Sequence, residues 1–195
     1  MLQQIPILIP VACCGGGVHS GKPAYLTLKP APKDAGIIFK RTDLSEFNVV
    51  PALYDKVTNT TLSTSISNDA NTTISTIEHL MAAIWSCEID NLVIEIDGPE
   101  VPIMDGSSQK FVFMLECAGY KYHFAPRKQI RIKKEISIQH QDAHIAVLPS
   151  DEFRISMEID FTSKAIGNQQ ASFTQGDSFK DEISPARTFG LMQEV

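Results

Sequence analysis

Two periods of apolar spacing run along this chain. Period 2 predicts strands: Ala24–Pro30 (AYLTLKP) alternates, Ile37–Lys40 follows a turn at Asp34-Ala-Gly36, and Phe153, Ile155, Met157, Ile159 and Phe161 share one face of a long strand. Ile7 to Cys14 predicts a first strand, ended by Gly15-Gly16-Gly17. Leu92–Ile96 is a continuous apolar run suited to a strand buried on both faces. Gln129–Gln139 and His144–Leu148 predict a hairpin around Gln141-Asp142-Ala143. A helical period appears twice. Ile77, Leu80, Met81, Ile84 and Trp85 form one stripe within Ser75–Trp85. Phe111, Met114, Leu115 and Ala118 form another, between a cap at Ser107 or Ser108 and Gly119 as C-cap. Asp177–Ser184 predicts a short helix stopped by Pro185, and Arg187–Gly190 a strand edge or loop. Val49–Asn71 holds short β-like pieces, with Leu62 and Ile66 as candidate apolar anchors.

The order of strands, helix, strand, helix defines an α+β unit over residues 1–122. HFAPRK at 123–128 is a polar connector and a domain boundary, and 129–195 begins a second unit. Between the first unit's last strand and its second helix lies the loop Asp97–Gly106, with two prolines and two Asp-Gly turns.

The first helix carries a chemically active pair, Glu78-His79, at its start. Ser75-Thr-Ile-Glu78 has the form of a capping box, so Glu78 either holds the helix start or does chemistry. Winding about 100° per residue puts His79 opposite the stripe, beside the small residues Ser75, Ala82 and Ala83, where another group can approach closely. His79 is either an ordinary polar histidine or a ligand; a helix start suits the neutral ring that a metal requires. His19, in the glycine-flanked GVHSGK stretch, is either a loop histidine or part of a pocket. His140 and His144 would make a metal pair on a helix, but on a hairpin that spacing loses its meaning.

Composition narrows the classes. The net charge of −6 argues against a nucleic-acid binder, whose footprint would be basic. Arg127 to Lys134 alternates with Ile130 and Ile132, as a solvated strand face does. The four cysteines, Cys13, Cys14, Cys87 and Cys117, form no CxxC pair and read as reduced thiols of a cytoplasmic protein. The N-terminal stretch has no basic flank and contains Gln, Pro and Gly, which argues against a signal peptide or transmembrane segment.

Taken together, GVHSGK at Gly17–Lys22, STIEHLMAA at Ser75–Ala83, EIDGPEVPIMDGSS at Glu95–Ser108 and ARTFG at Ala186–Gly190 resemble the UDP-3-O-acyl-N-acetylglucosamine deacetylase family, zinc amidases of lipid A synthesis in Gram-negative bacteria. KPAP at Lys29–Pro32, FKRTDL at Phe39–Leu44 and IDN at Ile89–Asn91 extend the resemblance over nearly the whole chain. It implies two similar sheet-and-helix domains, helix layers facing each other, with the active site between them. It implies hydrolysis of the 2-acetamido group of UDP-3-O-acyl-N-acetylglucosamine to acetate and a free amine. Amides are poor electrophiles and water is a poor nucleophile. Zn2+ held by three protein ligands addresses both, polarising the carbonyl and bringing bound water toward a pKa of about 7.

By the same resemblance His79 is a zinc ligand, Glu78 the general base, and Thr188 of ARTF the donor to the oxyanion. Phe161 matches the family's IDF segment, where the aromatic lies against uracil with Asp160 beside it; it also reads simply as the last core residue of its strand. His19 lies near the site, and Leu62 in the region of an insert that approaches the acyl chain. The family often places His-Pro after IDF-x, whereas Ser163-Lys164 stand here. The family's other two zinc ligands, a histidine and an aspartate of an HKxxxD helix, and its general-acid histidine have no counterpart among these residues. The expectation is therefore an N-terminal portion, with the remaining ligands beyond Val195. Alone it would have no appreciable activity and retain no stoichiometric zinc, and it would be marginally stable because its second unit lacks cover. The competing reading is a non-catalytic sugar-nucleotide-binding fragment or a gene remnant.

Overall fold

The computed structural model describes residues 2–190. Its chain divides into two units, one of Met1–Arg127 with Lys180–Val195 and one of Lys128–Phe179. The chain as a whole mixes sheets with few helices, an α+β fold. Both α-helices belong to the first unit, while the second consists of two-stranded antiparallel hairpins rather than the expected sheet-and-helix unit, because no helix follows its strands before Phe179.

The first unit contains β1 (Val11–Gly16), β2 (Pro23–Pro30), β3 (Ile37–Arg41), β4 (Val49–Pro51), β5 (Val57–Asn59), β6 (Ser65–Ser67), β7 (Thr73–Ile74), α1 (Glu78–Ser86), β8 (Leu92–Ile96) and α2 (Gln109–Ala118). A five-stranded sheet runs in the order β1-β2-β8-β3-β4, antiparallel except for the β3–β8 pair. Its register aligns Leu26 with Ile96, and Leu28 and Phe39 with Ile94, so one face is wholly apolar and all five side chains are buried. On the other face Glu95 meets Lys29 at 2.5 Å and Lys40 at 3.8 Å. The Leu92–Ile96 run is therefore not covered on both sides: Val93 and Glu95 alternate out to half-exposed positions, because Glu95 keeps water and lysine partners.

The first strand begins later than its apolar pattern predicts. Ile7 forms only an isolated bridge to Tyr120, and the regular ladder starts at Val11, after Pro10, which has no N–H to give. It continues through Gly15 and Gly16, which pair with Ala24 and Pro23.

The buried arc of α1 is Leu80, Ala83 and Ile84, with Ile77 just before it; Met81 is half-buried and Trp85 is 48% exposed. The arc is turned toward Ala83 relative to the predicted stripe because α1 packs against α2, which in turn packs on β1. A fully buried alanine lets a neighbouring element come close. In α2 the buried residues are Phe111, Val112, Leu115 and Ala118, while Met114 is half-buried. Gly119 ends the helix at φ 65°, its N–H donating to Glu116 O. A three-stranded sheet, β5-β6-β7, buries Ile66 and Ile74 and feeds directly into α1. Leu62, by contrast, is no apolar anchor: it stands 65% exposed at a loop tip with φ 59°. All four cysteines are free.

The second unit holds two hairpins, β9 (Ile136–His140) with β10 (Ala143–Val147), and β11 (Arg154–Asp160) with β12 (Asn168–Thr174). In the first, His140 opposes Ala143 and His144 opposes Gln139, which puts the two histidines on opposite faces. No residue from 128 to 179 is buried. Ile155 and Met157, on one face of β11, are 51% and 59% exposed. In place of the predicted 177–184 helix there is a single π-helical turn, Phe179–Ile183, preceded by a tight turn in which Asp177 accepts the amide and hydroxyl of Thr174. A two-strand ribbon without a covering layer cannot build a core.

Candidate active site

Helix α1 does not begin with a capping box. Ser75 is still in extended pairing, bridging Glu100 in parallel: its N–H donates to Pro99 O at 2.8 Å, and its carbonyl accepts from Val101 N at 3.0 Å. The chain then turns at Thr76, φ 58°, and the helix starts at Glu78. A left-handed, β-branched residue is an outlier costing roughly 1–3 kcal/mol, and it persists only where its surroundings hold it. Thr76 is 3% exposed, and its hydroxyl donates to Glu100 Oε1 at 3.3 Å.

Glu78 is thus free of capping duty. Its Oε2 accepts the Thr64 amide at 3.0 Å, and the Ile77 amide donates back to the Thr64 carbonyl at 3.4 Å. Among the described residues nothing bonds Glu78 Oε1, which leaves that oxygen open as an acceptor. His79 is half-buried, and no described residue hydrogen-bonds its ring. Both ring nitrogens therefore keep their ligating capacity.

The decisive residue missed in the sequence is Glu100. It is 4% exposed, and its carboxylate accepts the His19 amide at 2.8 Å and the Ser20 amide at 2.9 Å in addition to the Thr76 hydroxyl. Burial pushes its carboxyl up, but the His19 and Ser20 amides and the Ser20 hydroxyl outweigh burial and hold it below the usual carboxylate range. A side chain at Gly17 would collide with Glu100 Oε2 and come within 2.5 Å of Ser20 Oγ, so only glycine admits the carboxylate. A charged residue inside a Pro-rich loop was the one available sign of this; its partners lie too far away in sequence to be read. His19 itself is exposed, on a loop closed by Gly17 N–H to Lys22 O.

The far end of the same loop holds Thr188. The Thr188 amide donates to Gly106 O at 2.8 Å, and Arg187 lies 3.6 Å from Asp105. Asp105 is steadied by the Ser107 hydroxyl at 2.7 Å, which, with the Ser107 amide and Arg187, keeps its carboxyl below the ordinary range. The segment before Thr188 is fastened too: Ser184, fully buried, accepts the Gln109 amide at the start of α2, and Lys180 pairs with Glu116 at 2.8 Å. The neighbouring turn presses Met104 and Pro102 against Gly15, where a Cβ would lie 3.1 Å from Pro102 Cβ.

Loop 97–106 therefore links the three segments of the first unit that carry candidate chemistry: the His19 loop, the Glu78–His79 helix start and the irregular segment holding Thr188. Leu62 is two residues from Thr64, on the stretch that Glu78 holds. Asp160 and Phe161 belong to the second unit. There Asp160 pairs with Asn168 in the ladder, and the Phe161 amide closes the hairpin end onto Gly167 O at 3.0 Å.

Among the described residues no cluster of three or more His, Cys, Asp or Glu could hold a metal ion. The unengaged ring of His79 has the chemistry of a single imidazole ligand, and the described residues gather no metal-binding set around it.

The first unit is thus an α+β unit in which a mixed sheet, a Glu-His pair at a helix start and an acidic Pro-Gly loop come together. The family described as UDP-3-O-acyl N-acetylglycosamine deacetylase (LpxC) matches residues 4–195, and this chain belongs to that family. It is 41% identical over 198 aligned positions to the UDP-3-O-acyl-N-acetylglucosamine deacetylase of Pseudomonas entomophila and 42% identical to those of Teredinibacter turnerae and a Shewanella species. In each case the match covers 100% of this chain and 65% of the relative, so the chain spans about two thirds of their length.

Proposed function

We propose that the protein carrying this chain hydrolyses the N-acetyl group of UDP-3-O-acyl-N-acetylglucosamine, releasing acetate and the free amine, in lipid A biosynthesis in the cytoplasm. The observation that carries the reading is the released Glu78 carboxylate beside the unengaged His79 ring at the start of α1. The named relatives and the family match support the same chemistry.

Glu78 Oε1 takes the proton from the attacking water while Oε2 stays on the Thr64 amide, which fixes the carboxylate's orientation. The Thr188 hydroxyl donates to the oxyanion that develops on the acetamide carbonyl; its backbone is already pinned to Gly106. His79 is the ligand this chain offers to zinc; among the described residues no further set of ligands gathers around it. Zinc, when bound, lowers the pKa of water and polarises the amide carbonyl. Phe161 stacks on the uracil with Asp160 at its edge, His19 flanks the sugar nucleotide, and Leu62 meets the acyl chain.

A second reading is that the chain alone is a sugar-nucleotide binder without chemistry. The test is acetate release from UDP-3-O-acyl-N-acetylglucosamine by the native protein, isolated with whatever sequence accompanies these residues. Metal-dependent turnover that collapses in Glu78→Gln and His79→Ala is expected. Turnover that survives either change, or UDP binding by the native protein with no turnover, overturns the enzyme reading.

A further inference from the structure

We propose that Glu100 and Thr76 are positioning residues for the Glu78–His79 pair: one buried carboxylate ties the His19 loop to a left-handed turn that aims helix α1. The inference rests on the deacetylase reading and adds to it two residues that touch no substrate.

The chain passes from β7 into α1 through Ser75, Thr76 and Ile77. All the reorientation falls on Thr76, because Ser75 is zipped to loop 97–106 on both sides and Ile77 is already helical. Glycine or asparagine would make that turn with less strain. Threonine's distinguishing contribution is its hydroxyl, and that hydroxyl goes to Glu100 Oε1. The same oxygen accepts the His19 amide, and Oε2 accepts the Ser20 amide. A helix start and a loop distant in sequence therefore share one charge, in a space that Gly17 leaves open.

The geometry has consequences on both sides. Glu78 is the second residue after Thr76, so a small change in the turn swings its carboxylate and the His79 ring together. A misplacement of about 1 Å at reacting groups can cost on the order of 100-fold in rate. On the other side, releasing the His19 and Ser20 amides loosens the loop that bears the His19 side chain. Thr76 thus acts on the chemical step, whereas Glu100 acts on both the chemical step and substrate binding.

The strain at Thr76 separates this role from mere support of the fold. Thr76→Gly loses a buried hydroxyl and methyl but relieves the left-handed backbone, so the two effects on stability oppose each other. Thr76→Ser keeps the hydroxyl. Glu100→Gln replaces one accepting oxygen with an NH2 that faces a donor. The experiment measures kcat, KM and Tm of these three variants in the native protein, with amide hydrogen exchange at His19 and Ser20 in the 195-residue chain. We expect Thr76→Gly to lower kcat about tenfold or more with KM within about twofold and Tm near that of the parent. Thr76→Ser restores kcat. Glu100→Gln lowers kcat, raises KM and speeds exchange at both amides by about tenfold or more. Thr76→Gly with unchanged kcat, or with losses that simply follow Tm, overturns the proposal. A parent protein without turnover overturns the deacetylase reading instead. In that event the exchange arm decides the clamp: unchanged rates at His19 and Ser20 in Glu100→Gln overturn it.

Discussion

Glu78 holds Thr64: its carboxylate accepts that amide at 3.0 Å, across a gap of 14 residues in sequence. The bond orients the proposed base and fastens the stretch that leads from the exposed Leu62 into β6. The two jobs can be separated by substitution. Glu78→Gln keeps an acceptor for Thr64 and should melt within a few degrees of the parent. Glu78→Ala leaves the Thr64 amide unpaired and should lose about 1–2 kcal/mol, the scale of a partly solvated charge-assisted bond. Both should lower deacetylation by about 100-fold or more, the contribution of a general base. Thermal melts read beside turnover check this; equal melting of the two variants would remove Thr64 from the account.

Gly17 faces a carboxylate rather than open space. Gly17→Ala must displace Glu100 or reshape the loop, and a cost of about 1–3 kcal/mol is expected from overpacking. The same change at Gly16, whose added Cβ would meet nothing within 4 Å, should cost less. Denaturant midpoints of the two variants give the comparison.

Acid should weaken the first unit through Glu100 and Asp105. Both carboxyls are held below their ordinary range in the folded state. Between the folded value and the unfolded one, about 4, the unfolded chain binds more protons, so stability rises with pH there. The contribution is complete above that window and is lost as pH falls through the depressed folded values. Unfolding midpoints measured from about pH 6 down to about pH 3 should fall steeply in the parent and more shallowly in Glu100→Gln. Parallel curves would contradict the assignment.

The 195 residues on their own should hold less than one zinc per chain after dialysis and show no turnover, because His79 is offered without a gathered ligand set among the described residues. Elemental analysis together with an acetate assay tests both points. One tightly held zinc per chain would contradict the expectation. Titration of the same sample with UDP shows whether nucleotide binding persists without chemistry.

The second unit should yield first to protease. Nothing between 128 and 179 is buried, and apolar side chains such as Ile155 and Met157 stand open. Early cuts after Lys133, Lys134, Arg154 or Lys164, with Met1–Arg127 persisting, are expected by mass spectrometry. Simultaneous loss of both units would contradict it. In the same sample the exposed Cys14 and Cys117 should be alkylated before Cys13, whose thiol is pushed up to about 11 by burial and the neighbouring Cys14.

The sequence by itself determined the kinds of element and the family. Alternation in AYLTLKP and the spacing Phe111–Leu115–Ala118 are local properties of a strand and a helix, and they survive into the fold with shifts of a few residues. The motif set pointed to the family without needing contacts. What only the tertiary structure decided is how those motifs serve one another. Ser75 and Glu78 match a capping box letter for letter, yet pairing of Ser75 with loop 97–106 excludes it. Glu100 finds its partners 81 and 24 residues away, and α1's buried arc turns toward Ala83 because a second helix arrives there. Hydrogen bonds closed across such distances leave no periodic trace in the chain. They exist because a buried carboxylate must be satisfied once the sheet has brought loops together, and that demand arises only on folding.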